Sequence, residues 1–139
     1  MPPVRPVQPA ARLAVDRLGR MSLALPGTTM KPAQGAVAYQ VRGKSFAMVL
    51  DDHHGSGRVE LWVKGSADLQ QEWIAADSAR YHLPPYVGPN GCIGAWLDLD
   101  VDWPAGAELL VDGYLIQAGP RATAGSEPAV LVADVLAAG

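Results

Sequence analysis

The chain has 139 residues, close to the commonest size of a single domain, and at that length roughly 70% of the unfolded surface can be buried around one core. Hydrophobic residues make up 49% and charged residues 18%, with 15 glycines and 12 prolines, which excludes a disordered or coiled-coil chain and favours tight turns over long helices. One cysteine, Cys92, excludes an intramolecular disulfide, and a net charge of −3 argues against strong nonspecific affinity for nucleic acid.

Residues 1–9 are Pro-rich and polar and read as an arm ahead of the domain. From Ala10 onward Ala14, Leu18, Met21 and Leu25 recur at helical spacing, with Arg12, Asp16 and Arg20 on another face, and Pro26-Gly27 ends the helix. Thr28 to Pro32 reads as a loop, because Pro32 forces Lys31 into an extended conformation and Gly35 follows.

Alternation then takes over. Val37, Tyr39 and Val41 share one face, a turn at Arg42-Gly43 follows, and Phe46, Met48 and Leu50 repeat the pattern, which predicts a hairpin. After Asp51 to Gly57, Val59, Leu61 and Val63 alternate with Glu60, Trp62 and Lys64, predicting a three-stranded antiparallel meander with one face for the core. Ser66 is placed to cap a helix carrying Leu69, Trp73 and Ala76. Arg80 to Leu83 is a short extended piece, and Ile93, Ala95, Leu97 and Leu99 predict a strand entered through Gly88-Pro89-Asn90-Gly91. Asp102 then caps a helix with Pro104 in its first turn and Ala107, Leu110 and Tyr114 on one face, ended by Gly119-Pro120. The Ala-rich residues 122–139 contain Val130 to Leu136, apolar enough to pack on the sheet or on a neighbouring chain.

The predicted fold is therefore α+β, an antiparallel sheet with helices in the order α, three strands, α, two strands, α. Residues 10–121 form its domain. No segment approaches the roughly 20 apolar residues of a membrane span, and the first residues lack the apolar run of a signal peptide, so a cytoplasmic protein without a membrane partner is expected. Charge is unevenly spread. Residues 1–64 hold nine Lys/Arg against four acids, and the remainder holds two against ten.

Asp51-Asp52-His53-His54 contains metal-ligand residue types, but adjacent residues in a tight loop point apart, and the spacing reads as a solvated turn. No serine sits in a nucleophile elbow, Cys92 reads as a packed side chain, with a meeting with His82 across the two late strands as the alternative, and the glycines near Gly88 lack a P-loop ending. No catalytic residue, metal or cofactor is assigned. Trp62 and Trp96 fall on the face opposite the aliphatics of their strands; with Arg42, Lys44, Arg58 and Lys64 they are candidates for a basic, aromatic surface that contacts nucleic acid, the other reading being a face covered by a second helix with a few solvated charges.

Three phrases, Leu23-Ala24-Leu25-Pro26-Gly27-Thr28-Thr29, Val41-Arg42-Gly43-Lys44-Ser45-Phe46-Ala47-Met48 and Leu83-Pro84-Pro85-Tyr86-Val87-Gly88 with Gly91 and Gly94, make the chain resemble the MmcQ/YjbR family from the first helix to Pro120-Arg121. The resemblance implies a two-layer α+β domain similar to secretion chaperones, in the element order above, and a DNA-binding role through paired hairpin wings. Its motif positions here include Pro26, Gly27, Lys31, Pro32, Gly43, Lys44, Phe46, Tyr86 and Gly88, with Asn90 and Gly91 in the same loop as the last two. Met30, Gln34 and Cys92 depart from the family pattern. The leading expectation is a non-enzymatic DNA-binding or regulatory module using Lys31, Arg42, Lys44, Arg58, Lys64 and Trp62. A protein-interaction or chaperone-like module, as a homodimer, is the alternative, and a small-molecule site near Tyr86, Asn90 and His82 the third.

Overall fold

The computed structural model describes residues 9–33, 35–51, 57–84, 88–119 and 127–139. Helix α1 (Pro9–Leu23) is followed by four strands, β1 (Thr29–Ala33), β2 (Ala36–Val41), β3 (Lys44–Asp51) and β4 (Val59–Val63). Then come α2 (Ala67–Ala76), β5 (Tyr81–His82), β6 (Ile93–Trp96), α3 (Trp103–Ala118) and α4 (Pro128–Ala138). The strands form one antiparallel sheet in the order β1-β2-β3-β4-β6-β5. The fold is α+β, as expected, with one strand and one helix more among the described residues than the alternation implies.

The extra strand is β1, read from sequence as a loop. Its residues Thr29 to Ala33 pair with Gln40 to Ala36. Pro32 has no N–H to donate, and β1 tolerates it because it is an edge strand with a partner on one side only. No local signal announces this pairing.

One face of the sheet carries Tyr39, Val41, Val49, Val59, Leu61, Val63, Ile93 and Ala95, all buried, against α1 residues Ala14, Leu18 and Met21 and α3 residues Leu110 and Tyr114. Helix α4 packs on α3 and α1 and buries Leu131 and Val135 in the same core. The predicted shared face of Phe46, Met48 and Leu50 needs correction. Tyr39 pairs with Ala47 but Gln40 with Ser45, so Phe46 is an extra residue in a β-bulge. Phe46 and Ala47 therefore both join the core, and Met48 and Leu50 turn to the opposite face.

Both predicted caps form: Ser66 Oγ accepts the Leu69 N–H at 3.2 Å, and the Asp102 carboxylate accepts that of Ala105 at 3.1 Å. Leu25, expected in the first helix, lies beyond its end yet is buried in the turn that leads to β1. The strand predicted as far as Leu99 stops at Trp96, and Leu99 is exposed.

Candidate functional site

The candidate cations fall into two groups with different surroundings. At the β2–β3 turn Arg42 (φ 54°) and Gly43 (φ 75°) both adopt left-handed backbone, the geometry of a two-residue turn whose twist matches the strands. Arginine is an uncommon choice there. Its guanidinium Nη1 donates to the Ala118 carbonyl at 3.0 Å, at the negative end of α3, and nearby Gln117 Nε2 donates to Ser45 O at 2.8 Å. The hairpin tip is thus tied to the helix that carries the core. Lys44 beside it and Lys31 on β1 are exposed, and among the described residues neither they nor Arg42 has a carboxylate within ion-pair distance. Lys64 Nζ donates to the Asn90 carbonyl at 3.2 Å.

Arg58 and Trp62 belong to the second group. Their face of the sheet is not the open aromatic platform expected. Trp62 is 8% exposed, and its indole N–H donates to Glu60, itself buried. Trp96 is stacked by the His82 imidazole at 3.9 Å and by the Arg58 guanidinium at 3.8 Å. Two groups that close to one ring cannot share a side, so they cover opposite faces and leave no surface for a base to stack on. Arg58 in turn makes a two-pronged ion pair with Asp98, both contacts 2.8 Å. Burial opposes ionisation of Asp98, but the Arg58 hydrogen bonds and the Val59 N–H hold its carboxyl below the ordinary value. This reading of the tryptophans failed because alternation gives the face of a side chain and not its neighbour.

His82 sits across from Gly94, where a Cβ would lie 2.3 Å from the imidazole, so glycine makes room for the ring. Its Nε2 is buried without a hydrogen-bond partner among the described residues, 3.6 Å from a Glu60 oxygen. Burial lowers the His82 pKa from its ordinary 6.5, and Arg58 adds to that, against the pull of Glu60 and a backbone hydrogen bond at Leu83. A histidine held neutral in the fold takes up protons more readily when unfolded. Stability is then full above pH 6.5 and falls as pH drops below it toward the lowered folded value. We expect urea unfolding at neutral and mildly acidic pH to show that loss, and His82→Gln to reduce it.

Cys92 lies beside Gln70, which donates to its carbonyl at 2.6 Å. Burial raises the Cys92 thiol pKa, which keeps it protonated and a poor nucleophile at neutral pH. Gly88 and Asn90 are in a short helical turn before Gly91, with the Gly88 carbonyl accepting from Gln70 at 2.9 Å. Tyr86, Asp52, His53 and His54 lie outside the described residues. Among the described residues no group of three His, Cys, Asp or Glu side chains is placed to hold a metal. A cavity between Tyr81, Leu61 and Leu109 has a volume of about 20 Å³, room for about one water.

These features define a two-layer α+β protein with one polar cluster around Glu60, His82, Trp96 and Arg58 and separate cations at the β2–β3 turn and on β1. Residues 23–116 match the YjbR family, and the chain belongs to it. The fold is similar to that of protein DR2400 of Deinococcus radiodurans, described with the domain DUF419, at a TM-score of 0.62 and 18% identity over 73% of this chain and 76% of that one. No curated protein matches the chain. Among the described residues no helix is long and apolar enough to cross a membrane.

Proposed function

We propose that this YjbR-family protein is a non-catalytic DNA-binding module that meets the phosphate backbone with its β1–β3 edge, using Lys31, Lys44 and the anchored Arg42, with Lys64 beside the same end of the sheet. The observation that carries this reading is the separation of charge across the sheet. Arginines toward the β6–β5 edge are taken up by acids, Arg58 by Asp98 at 2.8 Å and Arg80 by Asp77 at 2.5 Å, whereas the cations on the β1–β3 side remain available to an external anion. Such a layout orients a chain of net charge −3 as it approaches a polyanion. Contacts confined to phosphates position a protein without reading many bases, and Trp62 and Arg58 take no part. A role on DNA implies the cytoplasm as its place of action.

The test is an anisotropy titration of a short duplex at several salt concentrations. With three phosphates engaged, log K should fall with log salt at a slope of about −2.7, roughly 0.9 per phosphate. The double variant Lys31→Glu/Lys44→Glu should abolish binding while leaving the circular dichroism spectrum unchanged. Binding that ignores salt or survives the double variant sinks the proposal.

A further inference from the structure

The outer side of α1 carries a pattern that the core does not use. Ala14, Leu18 and Met21 face inward, while Leu13 (69% exposed) and Leu23 (47%) lie on the outer side with exposed Asp16 and Arg20 between them. The spacing Leu13, Asp16, Arg20, Leu23 advances by three, four and three residues and so stays on one stripe of the helix. Neither Asp16 nor Arg20 has an ion-pair partner among the described residues, although they stand one turn apart.

This stripe is its own complement when reversed. An antiparallel copy centred on Leu18 sets Leu13 against Leu23 of the second helix and Asp16 against its Arg20, and the two-fold axis repeats both pairs. Next to Leu13 runs a surface groove of about 480 Å³ lined also by Arg17, Leu99, Asp100 and Trp103. Leu99 in its lining is 46% exposed, and the Arg17 guanidinium lies 4.3 Å over the Trp103 ring. A leucine arriving beside Leu13 therefore meets the apolar side chains of Leu99, Val101 and Trp103 on one flank, in a groove that Arg17, Asp98 and Asp100 also line.

We infer that α1 is the docking surface for a second copy of this chain, antiparallel about Leu18, with each Leu23 seated beside the partner's Leu13 and groove and each Arg20 paired with the partner's Asp16. A contact of this kind is isologous and closes at two subunits. Charge pairs fix the direction, because a parallel copy in the same register sets Asp16 against Asp16 and Arg20 against Arg20. The apolar ends supply the driving force. One helix seam buries less than the roughly 1,200 Å² of a standard interface, so the dimer is expected to be weak and concentration-dependent. It uses a face distinct from the lysine edge and stands or falls separately from DNA binding.

Sedimentation velocity of the full chain, from micromolar concentrations to about 1 mM, tests it; weak interfaces are populated in this range. A monomer–dimer equilibrium is expected. Arg20→Asp places two like-charged pairs across the axis and should weaken association about tenfold or more. Leu23→Ser should do the same by removing the apolar contact, and the exchange Asp16→Arg/Arg20→Asp should restore the parent constant. All these side chains are exposed, and circular dichroism verifies that each variant is folded. A monomer at every concentration overturns the inference, as does a dimer indifferent to Arg20→Asp and Leu23→Ser. Failure of the charge exchange to recover association overturns the register.

Discussion

Replacing Gly113 by alanine is expected to destabilise the protein by about 2–3 kcal/mol, while the same replacement at Gly106, two turns earlier in α3, stabilises it by about 0.5–1 kcal/mol. Helix α3 crosses the sheet so closely at Gly113 that an added Cβ would lie 2.5 Å from Val63 Cγ1 and 3.0 Å from the carbonyl oxygens of Phe46 and Lys64. Two of those three atoms are backbone and cannot rotate away. Val63 is fully buried in a close-packed core, where its methyl groups have little room to give way. At Gly106 the same methyl group meets nothing within 4 Å, so only the better helix propensity of alanine is felt. Urea midpoints for the two single variants decide it. Equal shifts of the same sign would show that α3 does not approach the sheet as described.

Deleting Pro128–Gly139, the whole of α4 with its cap, is expected to remove a large part of the fold's stability. Leu131 and Val135 are 3% and 0% exposed, and two such side chains contribute about 3–6 kcal/mol together, against a total of about 5–15 kcal/mol for a domain. The deletion also uncovers Met21, whose side chain lies against the end of α4, with Gly139 Cα positioned so that a Cβ there would be 2.7 Å from Met21 Cγ. The truncated chain should lose its near-ultraviolet circular dichroism and unfold over a broad, low urea range. Such a result identifies α4 as part of the core of its own chain. A truncated chain that unfolds with the parent midpoint would place the helix outside the core.

The alternative raised by the sequence, that this tail holds a dimer together, makes a different prediction for the same deletion. A tail that served only as an interface would leave a folded monomer. Because Leu131 and Val135 contact α1 and α3 of the same chain, the expected outcome is loss of folding. Association through the outer side of α1 is separable from it, since Leu13 and Leu23 are exposed with α4 in place.

Much of the architecture is legible because it depends on neighbours in sequence. The Ser66 and Asp102 caps each satisfy an N–H three residues on, and the alternation of Val59, Leu61 and Val63 follows from the two-residue period of a strand. The Arg42-Gly43 turn is legible for the same reason, although its left-handed arginine is not. That residue is stabilised by a carbonyl at Ala118, on an element far along the chain. The site residues fare less well. Lys31 on β1 and Lys44 and Arg42 at the β2–β3 turn have no carboxylate within ion-pair distance among the described residues, whereas Arg58 and Trp62 are drawn into contacts with Asp98, Trp96 and Glu60.

Sequence by itself determined the class of the fold, the positions of the first three helices, the caps and the central hairpin, because hydrogen bonds and side-chain periods within a few residues set them. Only the tertiary structure decided that Thr29 to Ala33 is a strand, that Phe46 is a bulge, that Trp96 is covered on both faces, and that Gly113 cannot be alanine while Gly106 can. Each of these depends on which distant surface arrives at that position. Edge pairing, ring stacking and close helix–sheet approach are contacts between elements, and no local pattern encodes the partner.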